Sequence, residues 1–179
     1  MKLIGITGLA RSGKDTVAHY LWAVHEYTRI AFADPLKLAA QNIFGLTDDQ
    51  TWKGDLKEVV IPYWGMSPRQ IFQLLGTEAV KGTFGEDTWC KRWELSYSLL
   101  SGTDNIVVPD VRTDMEAALL RSLGGVIVEL TRNDSGLSGS TAAHSSENGL
   151  STFADYDIAN NGTIQDLHDA VDAVLEKMA

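Results

Sequence analysis

The opening of the chain constrains it most: a short apolar, β-branched run, Lys2–Thr7, leads into GLARSGKDT at residues 8–16. A run of that length ending in glycine predicts a buried strand, and Val17, Leu21 and Val24 at helical spacing predict a helix from about Gly13. Gly8, Gly13 and Lys14 then fall between strand and helix with the G-x-x-x-x-G-K spacing of the Walker A phosphate loop. The glycines permit backbone conformations that turn several N–H groups inward, with Ala10, Arg11 and Ser12 between them, and the helix N-terminus adds partial positive charge. Lys14 is expected to reach the β- and γ-phosphates. A glycine-rich turn without a ligand is the alternative.

Asp15 stands where such loops carry the hydroxyl that meets Mg²⁺. A carboxylate is a hard oxygen ligand and can hold that ion directly or through water. Thr16 then keeps a hydroxyl for the α-phosphate.

The chain has 179 residues, 44% of them hydrophobic, enough for one sizeable core, so one compact domain spanning 1–179 is expected. A formal net charge of -9 argues against a duplex nucleic acid held on a broad cationic surface, and leaves room for a small anion in a local basic pocket. Cys90 is the single cysteine, which excludes an internal disulfide framework and fits a reducing cytoplasm. No stretch approaches the roughly 20 apolar residues of a membrane span, so a soluble cytoplasmic protein is expected.

Further along, Arg29–Ala33 reads as a second strand. Asp34-Pro35 supplies an N-cap and a first-turn proline for a helix through Phe44. Residues 45–66 read as irregular. SPRQIFQLLG predicts a helix capped by Ser67, with Pro68 at its first position and Gly76 near its stop. Trp89, Trp93 and Tyr97 recur every four residues on a helix over about 87–101, a stripe that suits core packing or a base-stacking platform. NIVVP and VIVEL read as buried strands, with a helix over about 114–123 between them. DYDIAN is a short last strand, and Ile164, Leu167, Val171, Val174 and Met178 make the apolar stripe of a closing helix. Strands alternating with helices predict an α/β fold with a parallel sheet covered on both faces, its ligands beyond the C-terminal strand ends.

Asp110 follows the strand NIVVP in the place of a Walker B carboxylate and is the second candidate for Mg²⁺, or else a cap for the next turn. Arg11, Arg69, Arg112 and Arg132 all stand where elements begin or end. Guanidinium forks bind phosphate oxygens and stabilise charge passing between donor and acceptor, although Arg69 and Arg112 could equally be solvated surface charges. Neither a Ser-His-Asp ordering nor an H-E-x-x-H motif is present, and none is required if the acceptor is a monophosphate. Its second pKa of about 6 leaves it ionised at neutral pH.

GLARSGKDT, FADPLK, SPRQIFQLLGTE, PDVRTDMEA, GGVIVELTR, HSSE and DYDIANNGT, in this order, resemble the deoxynucleoside monophosphate kinases of tailed bacteriophages and prophages. The resemblance spans nearly the whole chain. It implies a three-layer P-loop kinase fold with a five-stranded parallel sheet and a short lid, which moves the ATP γ-phosphoryl group to a dNMP with Mg²⁺, often as a homodimer. It implies an acceptor-binding region over about 34–101, with Asp34 and Lys37 near the acceptor and Arg69 on the dNMP phosphate, Gln73 and Thr77 lying on the same side. Asp110 and Arg112 would face the reacting phosphates. Residues 132–147, with His144 and Glu147, would form the lid, and Asn160, Asn161 and Gly162 would pass beside the adenine. A P-loop kinase for another small acceptor, such as a coenzyme A precursor or phosphomevalonate, and a nucleotide-binding switch without a second substrate are the competing readings.

Overall fold

The expected first strand forms over Leu3–Thr7, and all five of its residues are buried. The computed structural model describes residues 2–100, 102, 104–133, 135 and 150–178. In chain order the elements are β1 (Leu3–Thr7), α1 (Lys14–His25), β2 (Thr28–Arg29), α2 (Asp34–Phe44), α3 (Asp48–Trp52), a 3₁₀ turn (Leu56–Glu58) and α4 (Pro68–Gln73). A π-helical segment (Leu74–Lys81) and a further α turn, α5 (Gly82–Phe84), continue from α4. They are followed by α6 (Thr88–Ser98), β3 (Ile106–Val108), α7 (Asp114–Ser122), β4 (Val126–Thr131), β5 (Tyr156–Ala159) and α8 (Ile164–Lys177).

The chain divides into two compact units, Met1–Ala31 with Trp93–Ala179, and Phe32–Arg92. The first holds a five-stranded sheet in the order β2-β3-β1-β4-β5, with every pairing parallel. Side chains alternate across β1, and the layers follow from that alternation. Ile4 and Ile6 face a core made with Val17 and Leu21 of α1 and Leu167, Val171 and Val174 of α8. Gly5 points the other way, where a Cβ would come within 2.6 Å of Leu120 in α7 and 2.9 Å of Val111. Glycine therefore lets α7 close on the second face, and the sheet is covered on both sides as the sequence predicts.

The second unit is helical and has a small core of Ala40, Leu46 and Ile71, packed by Phe44, Ile61, Met66 and Phe72. Ser67 caps α4 as expected. Its hydroxyl accepts from the Gln70 N–H while the Gln70 side chain accepts from the Ser67 N–H.

Several local expectations are corrected. β2 is two residues long rather than Arg29–Ala33, because after Ile30 N–H donates to Val107 O at 3.0 Å the chain turns into α2. Asp34 is the first residue of α2, not its cap; Ala33 holds the cap position without a side-chain bond. Gly76 does not stop its helix, which runs on in π form. That glycine admits Leu36, whose Cδ2 would lie 2.6 Å from a Cβ there. Residues 45–66 are partly ordered by α3, capped by Thr47 with Gln50, and by an isolated bridge between Ile61 and Met66. Val24 and Ile164 are exposed rather than core. Trp93 is 1% exposed and stacks on Tyr97 at 5.2 Å, so the aromatic stripe is anchored in packing.

Candidate functional site

The loop after β1 is shaped by its neighbours as much as by its own residues. Gly8 has φ +129° and Gly13 φ +109°, conformations that suit glycine and penalise side chains. Space forbids a side chain as well: a Cβ on Gly8 would lie 2.2 Å from Leu130 O, and one on Gly13 2.4 Å from Asn160 Nδ2. Leu130 belongs to β4, and Asn160 follows β5. The ends of both strands thus press on the loop.

Asn160 is the clamp. Its backbone N–H donates to Thr131 O and its side-chain Nδ2 donates to Ser12 O, each at 2.8 Å. Asn160, expected beside the adenine, is thus bonded through its side chain to the loop backbone. Ser12 is fully buried, and its hydroxyl has no hydrogen-bond partner among the described residues. Inside the loop, Lys14 Nζ donates to Gly8 O at 2.6 Å and Leu9 O at 2.7 Å. No side chain caps α1, which begins at the end of the loop, and the first N–H groups of a helix have no intrahelical partner. Ammonium, helix end and left-handed glycines are the chemistry that suits an anion.

Around this loop lie other residues singled out in the sequence. Arg11 is exposed and, unusually for a non-glycine residue, has φ +67°. Asp15 is exposed in the first turn of α1, where a carboxylate also complements the helix dipole, and Thr16 is half-buried. Ala10 is half-buried on the loop. Asp110 follows β3, the strand beside β1, and the next residue, Val111, donates its N–H to Ile6 O at 3.1 Å. Thr113, three residues on from Asp110, caps α7. Arg112 is anchored through its backbone N–H, which donates to Glu116 Oε2 at 2.7 Å.

Arg132 is exposed directly after β4. Asn133 N–H donates to Asn161 Oδ1 at 2.8 Å, tying the segment after β4 to the one after β5. Gly162 gives way to Asp166, whose carboxyl is held below the usual range by the hydroxyl and then the N–H of Thr163. His144, Glu147 and most of the expected lid lie outside the described residues. Among the described residues no three metal-ligating side chains gather, so a metal here would share its shell with nucleotide phosphates, as Mg²⁺ commonly does.

The second unit holds the remaining candidates. Arg69 Nε donates to Glu58 Oε1, and the arginine side chain is 18% exposed. Gln73 lies one turn further along, its Nε2 buried, and Thr77 is half-buried in the π-helical segment. Lys37 is 3.9 Å from Asp34 and lies over the Trp52 ring, 4.8 Å from its centroid. Glu58, Trp52 and Glu116 were not anticipated in these contacts. Only Glu116 carried a sequence signal, the T-x-x-E spacing of a capping box.

Residues 51–171 match the family described as deoxynucleotide monophosphate kinase. A protein of Acanthamoeba polyphaga mimivirus, provisionally named a deoxynucleotide monophosphate kinase, is 31% identical across 96% of this chain and 94% of its own length. The deoxynucleotide monophosphate kinase of Enterobacteria phage T4 is 23% identical across 98% of this chain and 99% of its own. Among solved structures, TT1252 of Thermus thermophilus matches with a TM-score of 0.58 and 20% identity, covering 99% of this chain and 98% of that one. That likeness supports the three-layer P-loop kinase fold. No described helix is long and apolar enough to cross a membrane. With its phosphate loop in place at the end of β1, the chain belongs to the deoxynucleotide monophosphate kinase family.

Proposed function

We propose that this kinase, working as one domain, transfers the γ-phosphoryl group of ATP to the phosphate of a dNMP, giving dNDP and ADP. The observation that carries the reading is the loop itself: Gly8 and Gly13 in left-handed conformations, with Lys14 Nζ already among the loop carbonyls. The loop N–H groups and Lys14 bind the β- and γ-phosphates of ATP, and Thr16 offers its hydroxyl to the α-phosphate. Ser12 supplies a buried hydroxyl and Ala10 leaves room for the triphosphate. Asn160, Asn161 and Gly162 pass beside the adenine, with Asn160 acting there through the loop it clamps.

Asp34, Lys37, Arg69, Gln73 and Thr77 bind the acceptor nucleotide. Asp110 and Arg112 face the reacting phosphates. An ionised acceptor oxygen needs no general base, so positioning and neutralisation of charge do most of the work. Arg11, Arg112 and Arg132 supply that neutralisation along with Lys14. Asp15 and Asp110 would hold Mg²⁺, which supplies further charge neutralisation when bound with the nucleotide. The family setting supports a small nucleotide substrate.

The test is a coupled assay of ADP formation with ATP, Mg²⁺ and each of dAMP, dGMP, dCMP, dTMP and modified pyrimidine monophosphates, alongside coenzyme A precursors and phosphomevalonate. Matching dNDP is the expected product. No product from any dNMP, or ATP hydrolysis that no acceptor stimulates, overturns the proposal. Lys14→Ala is expected to lower turnover by about 1,000-fold while the protein stays folded.

A further inference from the structure

Arg69 occupies a place that folding alone does not favour for a cation. It is the second residue of α4, in the first turn of a helical run that continues to Phe84, at the end where the helix dipole disfavours positive charge. With 18% of its side chain exposed, it has also lost much of its water. Glu58 compensates: its carboxylate accepts from Arg69 Nε and is itself 33% exposed. The two are brought together by the 3₁₀ turn Leu56–Glu58 and by the Ser67 cap, which fixes where α4 begins.

A guanidinium carries five N–H donors in one rigid plane, and Glu58 takes the one on Nε. Fixing that edge fixes the plane of the whole fork. Four residues on, and so on the same helix face, Gln73 has an Nε2 that is buried without a hydrogen-bond partner among the described residues. A buried donor in that state is unfavourable until something supplies an oxygen. A guanidinium held by Glu58 and, on the same helix face, an amide donor without a partner among the described residues suit a ligand with several oxygens, such as a phosphorylated sugar.

We propose that Glu58 is a positioning residue for the acceptor: it holds the Arg69 guanidinium in the plane that meets the acceptor's phosphate, while Gln73 donates to a neighbouring acceptor oxygen. This rests on the reading that Arg69 binds the acceptor phosphate. Binding would then cost little reorientation of a long side chain, which is where preorganisation contributes to affinity.

Steady-state kinetics on Glu58→Gln, Glu58→Asp, Arg69→Ala and the Glu58→Gln/Arg69→Ala double variant test it. The dNMP with the highest turnover in the acceptor panel is varied at saturating ATP, and ATP at saturating dNMP. Arg69→Ala is expected to raise the acceptor KM by about 100-fold. Glu58→Gln is expected to raise it by about 10-fold with the ATP KM within about twofold, Glu58→Asp recovering part of the loss. The double variant is expected to be no worse than Arg69→Ala, because both changes act through one guanidinium. Simple loss of folded protein lowers both rates together and does not split the two KM values, and unfolding midpoints taken alongside report it directly. If Arg69→Ala raises the acceptor KM while Glu58→Gln leaves it unchanged or lowers it, Glu58 does not position Arg69 and the proposal falls, with the Arg69 reading intact. An unchanged acceptor KM in Arg69→Ala overturns the Arg69 reading itself.

Discussion

The phosphate loop and the Arg69 helix both present a cation, yet different forces hold them. The loop is set by backbone: two left-handed glycines, carbonyls that receive Lys14, and an asparagine from the far end of the chain bonded to Ser12 O. The Arg69 helix is set by side chains, with Ser67 and Gln70 closing its start and Glu58 steering its arginine. A backbone device tolerates almost no change of residue at its glycines. A side-chain device degrades by steps, each worth about one hydrogen bond or ion pair.

The largest effect on stability is expected at Gly8. An alanine there must adopt φ +129° and bring its Cβ to 2.2 Å from Leu130 O, and that backbone oxygen cannot move without disturbing β4. Gly8→Ala should cost about 3 kcal/mol or more, read as a lower midpoint in chemical denaturation, together with loss of ATP binding. A midpoint unchanged within error would mean that the loop is not held as rigidly as its contacts indicate.

Asn160→Ala comes next. It removes a buried 2.8 Å bond to Ser12 O and leaves that carbonyl without the donor, at a cost of about 2 kcal/mol. The loop should loosen as well, so the ATP KM should rise while the acceptor KM stays nearly constant. Ser67→Ala probes the other device. Loss of the cap should cost about 1 kcal/mol and raise the acceptor KM with the ATP KM unchanged. If these two variants moved the same KM, the division of labour between loop and helix would be wrong.

The same difference decides what could be read in advance. G-x-x-x-x-G-K is local, so strand, loop and helix were legible from residues 2–24, and Ser67-Pro68 announced α4 in the same way. β1, β3 and β4 are legible because their apolar runs are short and bounded by turns, whereas the apolar run RIAFA points past β2, into residues that turn toward α2. Arg69's partner is not legible, since Glu58 lies in a 45–66 segment without periodicity and only folding brings it near. The bond from Asn160 to the loop is not legible either, because nothing in DYDIANNGT says that its side chain turns back to Ser12, 148 residues earlier. Gly76 misled for a related reason: glycine near a helix end usually marks a stop, and here it makes room for Leu36.

Arg11 gives the smallest stability effect, and the one of opposite sign. Its φ of +67° is a conformation that disfavours any residue with a Cβ, at roughly 1–2 kcal/mol. Glycine removes that cost but gains freedom in the unfolded chain, so Arg11→Gly should stabilise the fold by only about 0.5 kcal/mol. Turnover should nevertheless fall about tenfold, because the exposed guanidinium at the loop is the charge the strained backbone carries. Arg11→Ala separates the two contributions: it keeps the backbone penalty and loses the charge, so it should match Arg11→Gly in rate and the parent in midpoint. A glycine variant that gained stability with full turnover would show that the loop tolerates a left-handed arginine without using it.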